Sequence, residues 1–337
     1  MKTVIVGAGA IAYAHAKACR ALNVEIVGVF DIRAESAKKL ADEYHAAVLV
    51  DMEQYEKAVQ GADMVHLCTP PSLRLAYAEI AMKAGCHVVT EKPMAIAVED
   101  ARKMCDMAER YGVQIMVDYN HRFRPGFQKL LEIVRSGQIG DIVDAFVYRA
   151  GMLGGNAGTK NDTWRRKPGL VCGMSIESLS HDIDMIIQLA GPVRDVKADV
   201  RGTYAEIPEF DNNVHVSLNM ESGAMALVNA SWSSYMKGST RGVIGTKGTV
   251  YLEGDDLFDF TRLRIRTDEM ECEQEFKLND IYNLATCPSY TNATRHFLDV
   301  IEGKAENAVS GAYALRTLEI SHAILDSAKA QRVVAVS

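Results

Sequence analysis

The stretch KTVIVGAGAIAYAHAKACRAL, residues 2–22, decides the fold. Residues 3–6 form an apolar run that reads as a buried strand, and helical periodicity begins at Ala10. Between them Gly7, Gly9 and Ala12 spell GxGxxA. Gly7 permits a tight turn, Gly9 lets backbone approach a pyrophosphate, and Ala12 allows close helix–strand packing. Ala10 and Ile11 open the helix whose N–H groups face the anion. The next apolar run, EIVGVFD, ends on Asp31, where a carboxylate would bind the adenosine ribose hydroxyls. By itself the glycine pattern is a loop; strand, turn, helix and acid together predict a dinucleotide-binding unit. Asp31 favours NAD over NADP because a carboxylate repels a 2′-phosphate, and Arg33 partly offsets that repulsion.

Working outward, the same alternation continues to about residue 120. MVHLCT, HVVTE and VQIMVD read as buried strands, and AESAKKLADEYH, SLRLAYAEIAMKAG and AVEDARKMCDMAERYG as helices. Gly85 and Gly112 sit just past two of these helices, as C-termini prefer. The predicted fold class is therefore α/β, opening with a doubly wound parallel sheet. Beyond residue 120 the texture changes. GFQKLLEIVRSG is an amphipathic helix, and IVDAFVYRA, VRDVKADVRGTY, NVHVSLNM, AMALVNASWSS and TRLRIRTD alternate like strands of a mixed or antiparallel sheet with one open face. Two helical patterns, TNATRHFLDVIEG and GAYALRTLEISHAILDSAKAQ, close the chain. The expected division is a Rossmann domain over 1–120 and a substrate-binding and oligomerisation domain over 121–337.

Bulk properties exclude several classes. The 337 residues suit two domains, and 48% hydrophobic with 24% charged residues is a globular profile. A net charge of −7 with no Lys/Arg run argues against nucleic-acid or membrane-surface partners. Seven scattered Cys without a CxxC pair read as reduced thiols in a cytoplasm. No run of 18 apolar residues appears, and the Gly-interrupted N-terminus reads as strand and turn rather than a targeting signal.

Two further stretches carry chemistry. VVTEKPMA places Glu91, Lys92 and Pro93 at the end of a buried strand, where open α/β sheets keep their ligand crevice. A partly desolvated ammonium there can polarise a hydroxyl or carbonyl; an isolated Lys in such a loop would otherwise be a surface residue. GMSIESLSHDIDM, residues 173–185, puts Glu177, His181, Asp184 and, further on, Gln188 on one helical stripe, at offsets of four, three and four. A lone His on such a helix is more often a satisfied core residue. Paired with Lys92 and a nucleotide fold it fits a base that takes a hydroxyl proton. Glu177 and His181 without a third ligand motif make no metal site. Asp184 reads as structural, and Asp182 receives no role. Softer pocket candidates are Asn120, His121, Arg122, Trp164, Arg165, Trp232 and Tyr235.

VVTEKPMA, preceded by TPPS at residues 69–72 and followed by DYNHRFRPGF, together with GQIGDI, the HxxD helix and GTKGTVYLEG, resembles the Gfo/Idh/MocA family of NAD(P)-dependent oxidoreductases over essentially the whole chain. The resemblance implies a Rossmann domain followed by an α/β domain with a large, mostly antiparallel open sheet. It implies catalytic roles for Lys92, His181 and Glu177. Cofactor contacts then fall to Gly7, Gly9, Ala10, Ile11, Asp31, Arg33, Thr69, Pro70, Glu91, Lys92 and Asn120. Substrate contacts fall to Lys92, Arg122, Trp164, Arg165, Glu177, His181 and Tyr235. Two positions depart from the family pattern: Glu177 stands where Asp is usual, and Arg74 where His is common. Arg74 would add a cation near the cofactor crevice if it points inward. The expected activity is reversible oxidation of a secondary ring hydroxyl of a sugar, inositol or glycoside, in a homodimer or homotetramer. Alternatives are a lyase or glycosidase that uses bound NAD transiently, and a non-catalytic sugar or nucleotide sensor.

Overall fold

The structure, a computed structural model, describes residues 1–152, 170 and 172–336. The chain divides into two compact units, Met1–Phe123 with Asn283–Arg316, and Arg124–Tyr282 with Thr317–Ser337. The first unit thus takes in a late segment that the sequence reading placed in the 121–337 domain. Helical periodicity shows that a helix has an apolar face, not which sheet buries it.

The first unit runs β1 (Lys2–Val6), α1 (Ala10–Ala21), β2 (Glu25–Phe30), α2 (Ala34–Tyr44), β3 (Ala47–Leu49), α3 (Met52–Val59), β4 (Met64–Leu67), α4 (Arg74–Lys83), β5 (His87–Glu91), α5 (Val98–Tyr111) and β6 (Ile115–Asp118). Its six strands lie in the order β3-β2-β1-β4-β5-β6, and every pair is parallel. β4 and β6 are buried along their whole length, which explains their mainly apolar patterns and leaves His66 and Asp118 as buried polar residues within them. The direction of strand addition reverses between β1 and β4, the place where open α/β sheets leave a crevice beyond the strand ends. β3 and α3 were not foreseen.

The second unit runs α6 (Pro125–Arg135), β7 (Ile142–Ala150), α7 (Met174–Glu177), α8 (Leu179–Ala190), β8 (Val193–Arg201), β9 (Asn213–Met220), β10 (Met225–Ser231), β11 (Gly238–Gly245), β12 (Gly248–Gly254), β13 (Phe260–Thr267) and β14 (Gln274–Asp280). With β15 (Val334–Ala335) these strands make a nine-stranded sheet ordered β14-β13-β12-β11-β7-β10-β9-β8-β15. β7 pairs parallel with β10; the other pairs are antiparallel. Alternate residues such as Val147, Val216, Val228, Val243 and Leu263 are buried in one core with Leu131, Ile183 and Ile186 of the helices. Each such side chain contributes roughly 1.5–3 kcal/mol of burial. The opposite face is open, with Tyr148, Met225 and Leu227 about half exposed.

Two helices follow: α9 (Ser289–Ile301), in the first unit, and α10 (Gly311–Ala330), within which the division between units falls. The segment between them runs along β6, where the Val117 N–H donates to the Val309 carbonyl at 2.9 Å and Asn307 Nδ2 to the Ile115 carbonyl at 2.9 Å.

Candidate functional site

The glycine loop leaves β1 at Gly7, whose φ of +93° suits glycine. A Cβ there would meet the Cys68 carbonyl carbon and oxygen at 2.9 Å, so no other residue fits. Gly9 caps α1, and a Cβ built on it meets nothing within 4 Å. Space therefore stands open over a helix N-terminus that has no acidic residue in its first turn. Asp31 shapes the same loop. Its carboxylate accepts the Ala8 N–H at 2.7 Å and the Arg33 N–H at 2.8 Å. The Arg33 side chain is exposed, with Nε 3.5 Å from Asp31. Asp31 Oδ2, with one hydrogen bond, keeps acceptor capacity, since a carboxylate offers about four lone-pair sites and Oδ1 receives both the N–H and Nε of Arg33.

Thr69 and Pro70 follow β4, and Glu91, Lys92 and Pro93 end β5, so both loops rise from the same edge of the sheet. Arg74 joins them. It is buried, its Nε and Nη2 donate to the Thr69 carbonyl at 2.9 and 2.7 Å, and its Nη1 donates to the carbonyls of Glu91 and Pro93. The expected extra cation in the crevice is thus a clamp on main-chain carbonyls, a correction that follows from the guanidinium's forked geometry. The Lys92–Pro93 peptide is cis. Lys92 is half-buried, and its N–H donates to Glu91 Oε2 at 3.2 Å.

Behind Lys92 lies a buried polar cluster that the sequence reading did not identify. His15 Nε2 on α1 lies 3.0 Å from Glu91 Oε1 and 3.6 Å from Asp118 Oδ2. Burial works against an imidazolium at His15, but the hydrogen bond to Glu91 and the charges of Asp118 and Glu91 prevail and raise its pKa. Burial would raise the Glu91 carboxyl, yet His15, Lys92 and Arg74 hold it below its ordinary value. Asp118 goes the other way: burial pushes it up to about 7, with Glu91 adding to the rise. The ligand atoms of the three lie within 4.8 Å of one another. One hydrogen bond, His15 Nε2 to Glu91, ties the cluster, while His15 Nδ1 and both Asp118 oxygens are buried with no hydrogen-bond partner among the described residues.

Asn120 and Arg122 lie in the short turn after β6, and both are buried. Asn120 Nδ2 donates to Ser289 Oγ at 3.2 Å. Arg122 donates to the Ala308 carbonyl at 2.5 Å and lies 4.6 Å over the Tyr313 ring.

In the second unit the predicted continuous stripe is broken. α7 ends at Glu177, α8 begins at Leu179, and Ser178 between them has φ −97° and ψ −38°. Glu177 and His181 are both buried, but they stand on successive helices rather than one. The start of α7 is set by Asp211, which accepts the N–H and the hydroxyl of Ser175, both at 2.8 Å. A Cβ on Gly173 would lie 1.9 Å from Asp211 Oδ1, which is why glycine precedes the helix. Asp184 is fully buried. Asp182, given no role from sequence, pairs with Arg149 at 2.7 Å and lies 3.9 Å from Arg241. Arg149 also donates to Ser178 Oγ at 2.8 Å, fixing the residue at the break. Nearby Arg124 holds Asp280 at 2.8 Å.

Tyr235 is 92% exposed, so nothing encloses it as a pocket residue. Trp232 is buried and stacked on Phe210 at 5.9 Å, a packing role. Trp164 and Arg165 lie outside the described residues.

Residues 1–119 match the model of the GFO/IDH/MocA oxidoreductase family with its NAD-binding Rossmann fold, and residues 127–251 match that family's C-terminal domain. The chain belongs to the Gfo/Idh/MocA family. It is 37% identical over 144 residues to the D-glucoside 3-dehydrogenase of Escherichia coli (strain K12), covering 42% of this chain and 41% of that enzyme. It is 26% identical to the inositol 2-dehydrogenase of Rhizobium meliloti (strain 1021), over 99% of this chain and 98% of that one. Its fold resembles that of levoglucosan dehydrogenase in complex with NADH and levoglucosan, with a TM-score of 0.87 at 19% identity over 100% and 99% of the two chains.

As a Gfo/Idh/MocA protein the chain uses NAD, and the residues present fit it. The open Gly9 cradle suits a pyrophosphate, Asp31 retains acceptors for ribose hydroxyls, and Thr69 Oγ1 is buried with no hydrogen-bond partner among the described residues. Asp31, Gly7, Thr69, Glu91 and Lys92 all lie at or just beyond strand ends on one edge of the first sheet. His15, Asp118, Asp211 and Arg149 were missed. Each is a polar residue within an otherwise ordinary strand, helix or loop pattern, and its partner is distant in sequence.

Proposed function

We propose that this protein is an NAD-dependent dehydrogenase that reversibly oxidises a secondary ring hydroxyl of a sugar, inositol or glycoside to the ketone. The observation that carries the reading is the setting of Lys92. Its amine extends from a backbone fixed by Glu91 and by the Arg74 clamp, at the strand edge that also bears the nucleotide loop. A lysine held in this way, with little freedom left to its main chain, is oriented before substrate arrives. The two named relatives, a D-glucoside and an inositol dehydrogenase, support the substrate class.

Bound NAD supplies the acceptor for the hydride that leaves the carbinol carbon. Lys92 donates to the reacting oxygen and stabilises the negative charge developing there. His181 takes the hydroxyl proton, for which neutral imidazole is suited near pH 7. Glu177 grips a neighbouring hydroxyl, its longer side chain setting which ring fits. Asp31 and the Gly7–Gly9 turn hold the cofactor, with Asp31 disfavouring a 2′-phosphate. The open sheet face, where Phe146 lies beside Leu227 and Tyr148 beside Thr240, is read as the contact with a second copy of the chain. Sedimentation of a Leu227→Lys variant as a monomer would support that contact, and an unchanged species would remove it.

The deciding experiment replaces Lys92 by Met. NADH production from a panel of polyols and glycosides should fall at least about a thousandfold, with NADH binding, read by fluorescence, changed less than about fivefold. A variant that keeps a tenth of the rate overturns the assignment. Glycoside cleavage without net NADH would favour the lyase or glycosidase reading, and neither product would favour a sensor.

A further inference from the structure

We propose that Asp118 is a positioning residue: with His15 and Glu91 it forms a buried, proton-holding cluster behind Lys92 that ties the charge of the Lys92 amine to pH. The inference rests on the reading of Lys92 as the group that meets substrate oxygen.

The geometry begins with strand register. Glu91 and Asp118 are direct neighbours on the parallel strands β5 and β6, so two carboxyl groups leave the sheet side by side. Both are under a tenth exposed, and Asp118 is 1% exposed. His15 supplies one ring to the pair, at 3.0 Å from Glu91 and 3.6 Å from Asp118. One imidazolium neutralises one carboxylate. The hydrogen bond falls to Glu91, while both Asp118 oxygens lack a hydrogen-bond partner among the described residues. A buried carboxylate in that position sheds its charge by taking up a proton.

The groups packed around the His15–Glu91–Asp118 cluster are committed elsewhere or hold one charge near neutrality. From α4, the Arg74 guanidinium is committed to carbonyls of Thr69, Glu91 and Pro93. On β4, burial and the nearby His15 hold His66 well below its ordinary pKa, and its Nδ1 lies 2.9 Å from the Thr3 hydroxyl on β1. Burial raises the Cys19 thiol of α1 to about 12, and also raises the Cys68 thiol after β4, which stays protonated. From α9, Tyr290 presents its ring to His15 at 5.3 Å. Lys92 is adjacent in sequence to Glu91 and within electrostatic reach of Asp118.

The consequence is a two-position device. With Asp118 protonated, the His15–Glu91 pair leaves the cluster neutral. Once Asp118 loses its proton toward and above pH 7, the cluster carries one negative charge in a poorly solvated setting. That charge favours the ammonium form of Lys92, so its amine stays a donor to higher pH.

Trace acetylation of the full-length protein with acetic anhydride from pH 6 to 11, read by mass spectrometry of the Lys92 peptide, gives the apparent pKa of the amine without any substrate. Asp118→Asn should lower that value by about one unit, so that Lys92 labels roughly tenfold faster on the acid side of its curve. Below about pH 4 the carboxyl is protonated in both the folded and unfolded chain, so the carboxamide stands in for it, and equal melting temperatures there establish that the variant is folded. Asp118→Ser serves if Asn does not fold. A Lys92 curve unchanged in a folded neutral variant overturns the proposal. So does a stoichiometric metal ion in the wild-type protein that the variant loses. Lys92→Met tests the catalytic reading separately. If Lys92→Met keeps its rate while Asp118→Asn shifts the labelling curve, the coupling stands and the catalytic role falls. The reverse result removes the coupling alone.

Discussion

Each unit of the molecule buries a cluster of charges, and the two are unbalanced in opposite directions. In the first, one histidine faces two carboxylates, His15 against Glu91 and Asp118. In the second, Arg124, Arg149 and Arg241 face Asp182 and Asp280. The acid-rich cluster contains a group that titrates at about 7. In the arginine-rich one the displaced group is Arg241, which keeps its proton at neutrality. Burial, with Arg149 and Arg124 adding, lowers Arg241 to about 9, and Asp182 resists that fall. Carboxyls and imidazole respond to physiological pH, whereas guanidinium keeps its proton even when desolvated. The first arrangement is suited to adjusting a neighbour's charge, the second to holding a backbone.

The largest effect should come from Asp182→Asn, which leaves Arg149 and Arg241 buried without their carboxylate. The loss expected from urea denaturation is about 3–5 kcal/mol, the range for breaking a buried pair. A cost below about 1 kcal/mol would show that the arginines are solvated and the comparison false. The second test is pH-dependent. The folded pKa of Asp118 is raised from 3.8 to about 7, so the stability it contributes is fully present below pH 4. That contribution is lost as pH rises through about 7. The difference in melting temperature between wild type and Asp118→Asn should therefore change between pH 4 and 7 and level off above; a flat difference breaks the acid-rich half of the contrast. Arg241→Met should cost less than Asp182→Asn, about 1 kcal/mol or less, because it removes a charge the second cluster has in excess. Arg241 Nε and Nη1 have no hydrogen-bond partner among the described residues. Smallest of all, Glu177→Asp should leave overall turnover within about tenfold while changing the ranking of ring substrates. An unchanged ranking would make Glu177 a packing residue.

The Rossmann sheet was legible because its signals are local. Gly7 is required by one backbone angle and one close carbonyl, and Asp31 by its place at the end of the next strand. β3, with three residues, is too short to show a period. β11 begins and ends on glycine and carries another at Gly242, which hides its alternation. That glycine is itself structural, since a Cβ on it would come within 2.5 Å of the Phe146 ring. The break at Ser178 has no glycine or proline to announce it. Asp182 looks like the polar side of a helix until its partner, Arg149, is found 33 residues away on β7. His15 and Asp118 were hidden in the same way: their meeting depends on how α1 lies over β5 and β6, which no single stretch of sequence records.

Arg74 carries a lesson for anyone who would rebuild this enzyme. One side chain bonds the Thr69 turn to the Glu91–Pro93 turn, so the two behave as a single transplantable part. A chimera that imports the lysine loop of a relative but keeps its own fourth helix would inherit half a joint. An imidazole at the same position has two nitrogens where three carbonyls wait. Grafts in this protein should therefore be cut outside residues 69–93, with both turns and the arginine moved together.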